Sequence, residues 1–310
     1  MKFVIMSLCL LAAQPFIQQD DLSIIDDGEE VQRVNRENFE AGFLGKPFVD
    51  QDKIQQLIEQ LEPEVSQEPV NAKIRDSGEI IPGEIGYKLY REKFLEKFHQ
   101  YLYGTEAEAM HVPKIAISPK VDVELLANIR TKQIGHYVTY FNSNNKERSH
   151  NIRLASKAID SHVVFPGEVF SFNQVVGKRT KEKGYKDAPV IVKGEVTEGI
   201  GGGICQVSST LFNSVANAGV KVMERYSHSK RVPYVPSGRD ATVSWYGPDF
   251  TFKNQYNQPI LIRSNVYGGQ MSITIYSSDV INFDPKDIPD ASKKLPEEKN
   301  TSTISQPIIR

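Results

Sequence analysis

The strongest constraint on the fold is a glycine-rich segment that leads directly into a helical pattern. From residue 199 the sequence reads GIGGGICQVSSTLFNSVANAG. Glycine allows backbone conformations and close approaches that a side chain blocks, so a run of glycines restricts how the chain enters the helix. The predicted apolar face comprises Val207, Leu211, Val215 and Ala218, and Gly219 stands at the expected helix end. We therefore predict a helix that begins next to Cys205 and packs on a core.

Cys205 falls in the first turn of this helix, close to backbone N–H groups that have no helical partner. These donors and the helix dipole favour negative charge, and they can lower a thiol pKa from about 8.5 toward about 7 or below. The amides of the glycine run, or the side chain of Gln206, are suited to donate to an oxyanion. Cys205 is therefore a candidate nucleophile.

Two later residues give Cys205 the partners of a catalytic thiol. A strand pattern over 220–226 ends just before His228, which follows Cys205 by 23 residues, and Asp240 follows His228 by 12. A nucleophile at a helix start, a base after the next strand and an orienting carboxylate beyond it suit a thiol acyl-transfer enzyme of the transglutaminase or papain-like kind. The predicted catalytic residues are Cys205, His228 and Asp240. The predicted substrate contacts are Gly201, Gly202, Gly203, Gln206, Ser208 and Arg239.

Each catalytic candidate also has a purely structural interpretation. Free cysteines are often buried and simply pack. His228 stands between two serines and can be a loop residue, and Asp240 can pair with its neighbour Arg239. Residue types and spacing alone leave both interpretations open.

No cofactor or metal pattern accompanies the thiol. The glycine run lacks the Gly-Lys-Ser or Gly-Lys-Thr ending of a P-loop and the spacing of a dinucleotide-binding fingerprint. The histidines are scattered and show no zinc-ligand spacing. We expect neither a cofactor nor a metal.

The N-terminus predicts export from the cytoplasm. Lys2 precedes an uncharged apolar run over residues 3–13, which Gln14 and Pro15 interrupt. Such a run is typical of a secretory signal peptide and too short to span a bilayer comfortably. A buried N-terminal strand or helix is the alternative. We assign residues 1–19 to a signal peptide or short N-terminal anchor, and its removal would leave Cys205 as the only thiol.

Periodicity divides the rest of the chain into two folded parts and a tail. Helical patterns near 53–61 and 90–103, with strand patterns around them, predict a small α+β domain over 48–122. A mixed α/β domain over 130–278 follows, with the Cys-bearing helix packed on a largely antiparallel sheet. Several prolines among polar residues predict a disordered tail over 279–310. The overall fold class is α+β.

One segment of the second domain has the pattern of two strands joined by a turn. Residues Val163–Asn173 read as strand, turn and strand, with Pro166 and Gly167 at the turn.

Composition argues against two classes of protein. Lys and Arg total 37 against 39 Asp and Glu, a formal net charge of −2, so the chain lacks the basic excess of a nucleic-acid-binding protein. With 25% charged residues it is also too polar for an integral multi-span membrane protein.

These motifs together resemble the VanW family. The resemblance covers about residues 130–278, and its motifs are Ser171–Asn173, Gly199–Ser214, Glu224–Arg225, His228–Ser229, Tyr234–Pro236 and Gly238–Val243. The preceding region, especially Pro69–Pro119, resembles the peptidoglycan-binding domain that often precedes VanW domains. The resemblance implies a secreted or cell-surface envelope protein of a Gram-positive-type bacterium, with peptidoglycan or its peptide stems as partner. The family is named for an accessory protein of B-type vancomycin-resistance clusters, and that name does not assign resistance to this chain.

Two functional hypotheses follow from the thiol segment. In the first, the chain is a thiol-dependent acyl transferase or hydrolase that acts on amide or peptide bonds of wall peptides. In the second, it is a non-catalytic module whose glycine-rich groove holds a peptidoglycan stem peptide. The enzyme requires the Cys205 sulfur and a ring nitrogen of His228 within about 4 Å of each other.

Overall fold

A computed structural model describes residues 21–43, 46–104, 109–192 and 195–294, and the predicted signal peptide or anchor lies outside them. The strands are β1 (Asp21–Asp26), β2 (Glu29–Asn35), β3 (Glu40–Phe43), β4 (Lys46–Val49), β5 (Lys73–Ile74), β6 (Ile80–Ile81), β7 (Gly86–Leu89), β8 (Ala109–His111), β9 (Lys114–Ile117), β10 (Lys132–Tyr140), β11 (His162–Val164), β12 (Val169–Ser171), β13 (Asp187–Val192), β14 (Glu195–Ile200), β15 (Lys221–Glu224), β16 (Thr251–Lys253), β17 (Ile260–Tyr267) and β18 (Gln270–Ser277). The α-helices are α1 (Gln51–Val65), α2 (Arg91–Tyr103), α3 (Val123–Ile129), α4 (Lys146–Ile159), α5 (Phe172–Val176) and α6 (Ile204–Asn217), and a short 3-10 helix spans Arg36–Phe39.

The described residues form two compact units. The first unit contains the described residues up to Asn71 together with Gly83–Lys120, and the second contains Ala72–Pro82 and the described residues from Val121 onward. Both combine helices with small, mostly antiparallel sheets, so the predicted α+β class is confirmed. Among the described residues, no helix is both long enough and apolar enough to cross a membrane.

The first unit has its core between two helices and a three-stranded sheet in the order β2-β1-β8. The Asp50 carboxylate caps α1 by accepting from the N–H groups of Asp52 and Lys53, which satisfies donors that lack a helical partner. β1 contributes Leu22 and Ile24, both fully buried, to the same core. The unit therefore includes strands that precede residue 48, where the sequence pattern placed its start.

The main sheet of the second unit is four-stranded, in the order β10-β18-β17-β11, and every pairing in it is antiparallel. α6 packs against β10 and β18, and α4 packs against β17 and α6. The Cys-bearing helix thus lies on a largely antiparallel sheet, as predicted. Fully buried apolar residues from both sides fill the contact: Ile152, Val207, Leu211, Val215, Ile273 and Ile275.

A smaller sheet in the order β12-β16-β15 precedes His228 in the chain. The turn at Pro166 and Gly167 connects β11 to β12, but these strands do not pair with each other. β11 pairs with β17 in the main sheet, and β12 pairs with β16 in the smaller one. The turn therefore joins two sheets and closes no hairpin between its flanking strands. β15 leaves this sheet at Glu224, and the chain then runs through Tyr226 to His228.

The first part of the predicted tail packs against the second unit. Ile281 is buried in the main core. The Lys286 backbone N–H and C=O each make a 2.9 Å hydrogen bond with Asn217, at the end of α6. The Tyr137 hydroxyl donates to the Pro289 carbonyl at 2.9 Å. These contacts order residues 279–294 despite their polar, proline-rich composition, and residues 295–310 lie outside the described part of the chain.

Candidate active site

The glycine run has the backbone geometry that its sequence suggests. Gly201 and Gly203 have φ angles of +88° and +102°, in the left-handed region that favours glycine. A Cβ added to Gly202 would lie only 2.6 Å from the Pro189 carbonyl oxygen on β13. Gly203 then caps α6, which begins at Ile204, so Cys205 stands in the first turn.

Cys205 is a half-buried free thiol that faces the segment after Asp240. Its Sγ lies 3.8 Å from the Thr242 hydroxyl and 3.7 Å from the Val243 carbonyl oxygen. The hydrogen-bonding capacity and charge of His228 also act on the thiol. The thiol is therefore within electrostatic range of the group that sequence spacing proposed as its base.

His228 is oriented by Asp240 through two hydrogen bonds to one oxygen. The Asp240 Oδ2 lies 2.7 Å from His228 Nδ1 and also accepts from the His228 backbone N–H at 2.6 Å. The two side chains are only 6% and 9% exposed. With Nδ1 directed at the carboxylate, Nε2 is the ring nitrogen available to the thiol. The structure thus brings Cys205, His228 and Asp240 together in the order of a nucleophile, a base and an orienting carboxylate.

The electrostatics of the three residues favour charge separation between sulfur and ring. Burial raises the pKa of the Cys205 thiol, but the hydrogen bond and positive charge of His228 outweigh it, and the thiol pKa is lowered. Burial lowers the pKa of His228, but Cys205 and Asp240 together raise it above its ordinary value. Burial raises the pKa of Asp240, but the hydrogen bonds and charge of His228 bring it below its ordinary range.

Hydrogen bonds from α6 hold the Asp240 segment against the thiol. The Ser209 hydroxyl donates to the Cys205 carbonyl at 2.6 Å and accepts from the Ala241 N–H at 2.9 Å. Ser208 donates to the Ala241 carbonyl at 2.6 Å. Both serines are fully buried, so the predicted substrate contact at Ser208 is occupied by the protein's own backbone.

Gln206 and Arg239 are likewise engaged within the protein. The fully buried Gln206 amide donates to Thr139 and to the Tyr140 carbonyl, and its oxygen accepts from Arg148 at 2.7 Å. It therefore fixes α6 to β10 and does not present a donor to an oxyanion. The Arg239 Nε donates to Asn213 at 2.7 Å, and its guanidinium lies 4.7 Å from the centre of a phenylalanine ring of α6.

Two residues near the thiol were not identified from the sequence pattern. Tyr234 is buried and interacts electrostatically with Cys205. Its only sequence signal was its place in a family motif. Arg179 carries a buried guanidinium whose charge interacts with that of Cys205. Within residues 21–294 as described, no group of three or more His, Cys, Asp or Glu side chains is arranged to hold a metal ion.

Comparison with known proteins matches each part of the chain to a protein family. Residues 147–276 match a family described as "VanW like protein", and residues 28–109 match one described as "Putative peptidoglycan binding domain". The first match includes all three proposed catalytic residues.

Two relatives extend this result. The chain is 60% identical over 290 residues to "Uncharacterized protein YoaR" of Bacillus subtilis (strain 168), covering 94% of this chain and 96% of the relative. It is 34% identical over 109 residues to "Vancomycin B-type resistance protein VanW" of Enterococcus faecalis (strain ATCC 700802 / V583), covering 34% of this chain and 40% of that protein. No solved structure shows a significant match.

Proposed function

Because the chain belongs to the family of VanW-like proteins, we propose that it is a cell-wall-associated enzyme that transfers acyl groups of peptidoglycan peptides through Cys205. The wall association is supported by the peptidoglycan-binding family match in the first unit. The chemistry is supported by the Cys205–His228–Asp240 arrangement, in which a half-buried thiol interacts electrostatically with a histidine that a buried carboxylate orients.

The arrangement can perform a complete acyl-transfer step. His228 takes the proton of the Cys205 thiol, and the thiolate attacks the carbonyl carbon of a peptide bond. As the tetrahedral intermediate collapses, the C–N bond breaks, and the protonated His228 gives its proton to the leaving amine. The acyl group remains on sulfur as a thioester. Asp240 stabilises the imidazolium in the interval without itself taking the proton.

The second half of the reaction decides between transfer and hydrolysis. An amine of a second peptide, deprotonated by His228, attacks the thioester and forms a new amide, and the thiol is restored. With water as the acceptor, the same steps release a carboxylic acid. We favour transfer between wall peptides, because a wall-binding unit on the same chain would hold the enzyme next to acceptor amines. We also propose that residues 1–19 direct the chain to the secretory route, which brings the enzyme to this substrate.

Thiol labelling tests the chemistry before any substrate is known. Iodoacetamide labelling of Cys205, read by mass spectrometry of the peptide that contains it, should continue below pH 7, where an ordinary thiol is largely protonated. His228→Ala should slow labelling at pH 6 to 7, whereas His111→Ala, which removes an exposed histidine of the first unit, should not.

Incubation with muropeptides then separates enzyme from binding module. The expected result is a thioester adduct on Cys205 and new amide-linked or shortened products, both absent in Cys205→Ala. If Cys205 labels no faster than free cysteine, His228→Ala changes nothing, and muropeptides bind without turnover, the chain is a non-catalytic wall-binding module.

A further inference from the structure

Arg179 carries a buried cation that the described part of the protein does not pair. It follows α5 in the chain, and its Nε and both terminal nitrogens each expose less than 1 Å². None of the three nitrogens has a hydrogen-bond partner among the described residues. The guanidinium lies 5.7 Å from the centre of the Phe172 ring, a contact that satisfies none of its N–H donors.

A buried, unpaired guanidinium is costly, which points to a partner outside the described residues. Arginine remains charged in proteins, so it cannot avoid the cost of burial by releasing its proton. The nearby Asp249 carboxylate is occupied, because it accepts from the Ser171 hydroxyl at 2.5 Å and from the backbone N–H groups of Asn173 and Phe250. A planar fork of unused donors is the group that proteins use to bind carboxylates bidentately.

The position of Arg179 connects this fork to the thiol. A Cβ added to Gly201 would lie 3.4 Å from the Arg179 Cβ and 3.5 Å from its Cγ, so the arginine stem lies directly on the glycine run that precedes Cys205. Burial lowers the pKa of Arg179, while the charges of Tyr185, Cys205 and Asp249 act in the opposite direction. The Arg179 stem therefore lies beside the turn that leads into α6, and the charge of Cys205 acts on its guanidinium.

We propose that Arg179 binds a free carboxylate of the peptide whose acyl group reacts with Cys205. This inference rests on the proposed function and specifies its substrate as an anionic peptide. Stem peptides of peptidoglycan carry such carboxylates close to the amide bonds that are exchanged during cross-linking. Binding of the carboxylate would orient the scissile bond relative to the sulfur, which makes Arg179 a substrate-recognition residue of the site.

Protection of the thiol measures binding at this site without requiring turnover. N-ethylmaleimide labelling of Cys205 is followed at increasing concentrations of two probes: muropeptides released from peptidoglycan by a muramidase, and the same muropeptides with their carboxylates converted to methylamides. The rate of each variant is divided by its own rate without probe, so a change in intrinsic thiol reactivity cancels. Binding to the first unit does not enter the measurement, because only Cys205 labelling is read.

Native muropeptides should protect Cys205 at concentrations at least about tenfold lower than their methylamides, the difference expected for charge-assisted hydrogen bonds. Arg179→Gln should remove this discrimination, and Arg179→Lys, which keeps the charge without the fork, should retain part of it. Arg153→Gln, a change at an exposed arginine of α4, should leave it intact.

Equal protection by native and blocked muropeptides in the unsubstituted chain would overturn the carboxylate proposal, even if Cys205 reacts as a catalytic thiol. A second overturning result is an Arg179→Gln chain that keeps its discrimination and changes only the pH dependence of labelling, since the arginine would then act on the thiolate. Conversely, strong discrimination with a Cys205 that labels no faster than free cysteine and forms no thioester would refute the acyl-transfer function and leave carboxylate recognition standing.

Discussion

Replacing Asp240 by Asn removes one negative charge from the candidate site and keeps the size of the side chain. The carboxylate accepts from both the backbone and the ring of His228, so the amide retains at most part of this bonding. Without the charge, the pKa of His228 falls, because the imidazolium loses its stabilising partner. The Cys205 thiolate then loses the cation that stabilises it, and the thiol pKa rises.

The magnitude follows from the ring–carboxylate hydrogen bond. It is 2.7 Å long, and its partners are 6% and 9% exposed, so solvent screens it little. A charge-assisted bond of this kind contributes about 1.5–3 kcal/mol, equivalent to about a 10- to 150-fold change in thiolate population at a fixed acidic pH. A more basic thiolate is also more nucleophilic, with a Brønsted coefficient of about 0.4–0.5, which offsets part of the loss. Labelling of Cys205 at pH 6 should therefore slow about 3- to 20-fold.

The assay is iodoacetamide labelling between pH 5.5 and 8.5, with Cys205 distinguished from Cys9 by peptide mass. Asp279→Asn, at an exposed carboxylate of the same unit, is the matched control and should follow the unsubstituted chain at every pH. Thermal unfolding of each variant establishes that the fold is retained. The deficit of Asp240→Asn should disappear as the pH rises and both thiols ionise, and its more basic thiolate should then label at least as fast as that of the unsubstituted chain.

An unchanged pH profile in a folded Asp240→Asn chain would refute this reasoning. It would mean that the carboxylate has no electrostatic effect on the sulfur and serves only to fix the loop. A uniform fall in rate at all pH values would also contradict it, because that pattern indicates lost access to the thiol.

Three further predictions concern stability. Gly202→Ala should destabilise the fold by about 1–3 kcal/mol, measured by denaturant unfolding, because the added Cβ clashes with β13. In the control Gly247→Ala, the added Cβ has its nearest neighbour 3.6 Å away, so stability should change by less than about 0.5 kcal/mol. Ser209→Ala should cost about 1–3 kcal/mol in the same measurement, because it leaves the buried Ala241 N–H without its acceptor; a smaller cost would mean that another group replaces the hydroxyl. Burial lowers the pKa of His162, so this side chain binds a proton more readily in the unfolded chain than in the folded one. The free energy of unfolding should therefore fall as the pH drops below about 6.5, and His162→Gln should make this fall less steep.

The local signals in the sequence located helices well. The helical pattern near 53–61 correctly predicted α1, and the glycine run correctly predicted where α6 begins. These signals succeed because capping and backbone conformation depend on residues that are neighbours in sequence.

Strand pairing could not be obtained in the same way. The segment around Pro166 forms the two strands that its pattern predicts, but β11 and β12 join different sheets, which the pattern could not show. Likewise β10 pairs with β18, at the other end of the second unit. An alternating pattern identifies a strand and its buried face, but its partner depends on contacts between residues far apart in sequence.

The polar residues of α6 explain why the site was only partly predictable. Gln206 and Ser208 stand beside the candidate nucleophile, and on a helix expected to bury one apolar face they suggested contacts with a ligand. Instead α6 is buried on nearly all sides, and its polar side chains satisfy neighbouring backbone. Hydrophobic periodicity cannot distinguish a polar residue that faces solvent from one that is buried and bonded.

These side chains form two rows along α6, in each of which the residues are four positions apart. The two rows contact different parts of the protein. One row joins the main sheet: Gln206, Thr210 and Ser214. The other joins the segment that carries Asp240: Cys205, Ser209 and Asn213. Asn213 bonds the Arg239 carbonyl and Ser209 bonds the Ala241 N–H. The second row therefore holds the residues on both sides of Asp240 and positions its carboxylate, which bonds His228. Substitutions in the first row should therefore lower stability alone, whereas conservative changes in the second should alter the pH dependence of Cys205 even where the fold survives.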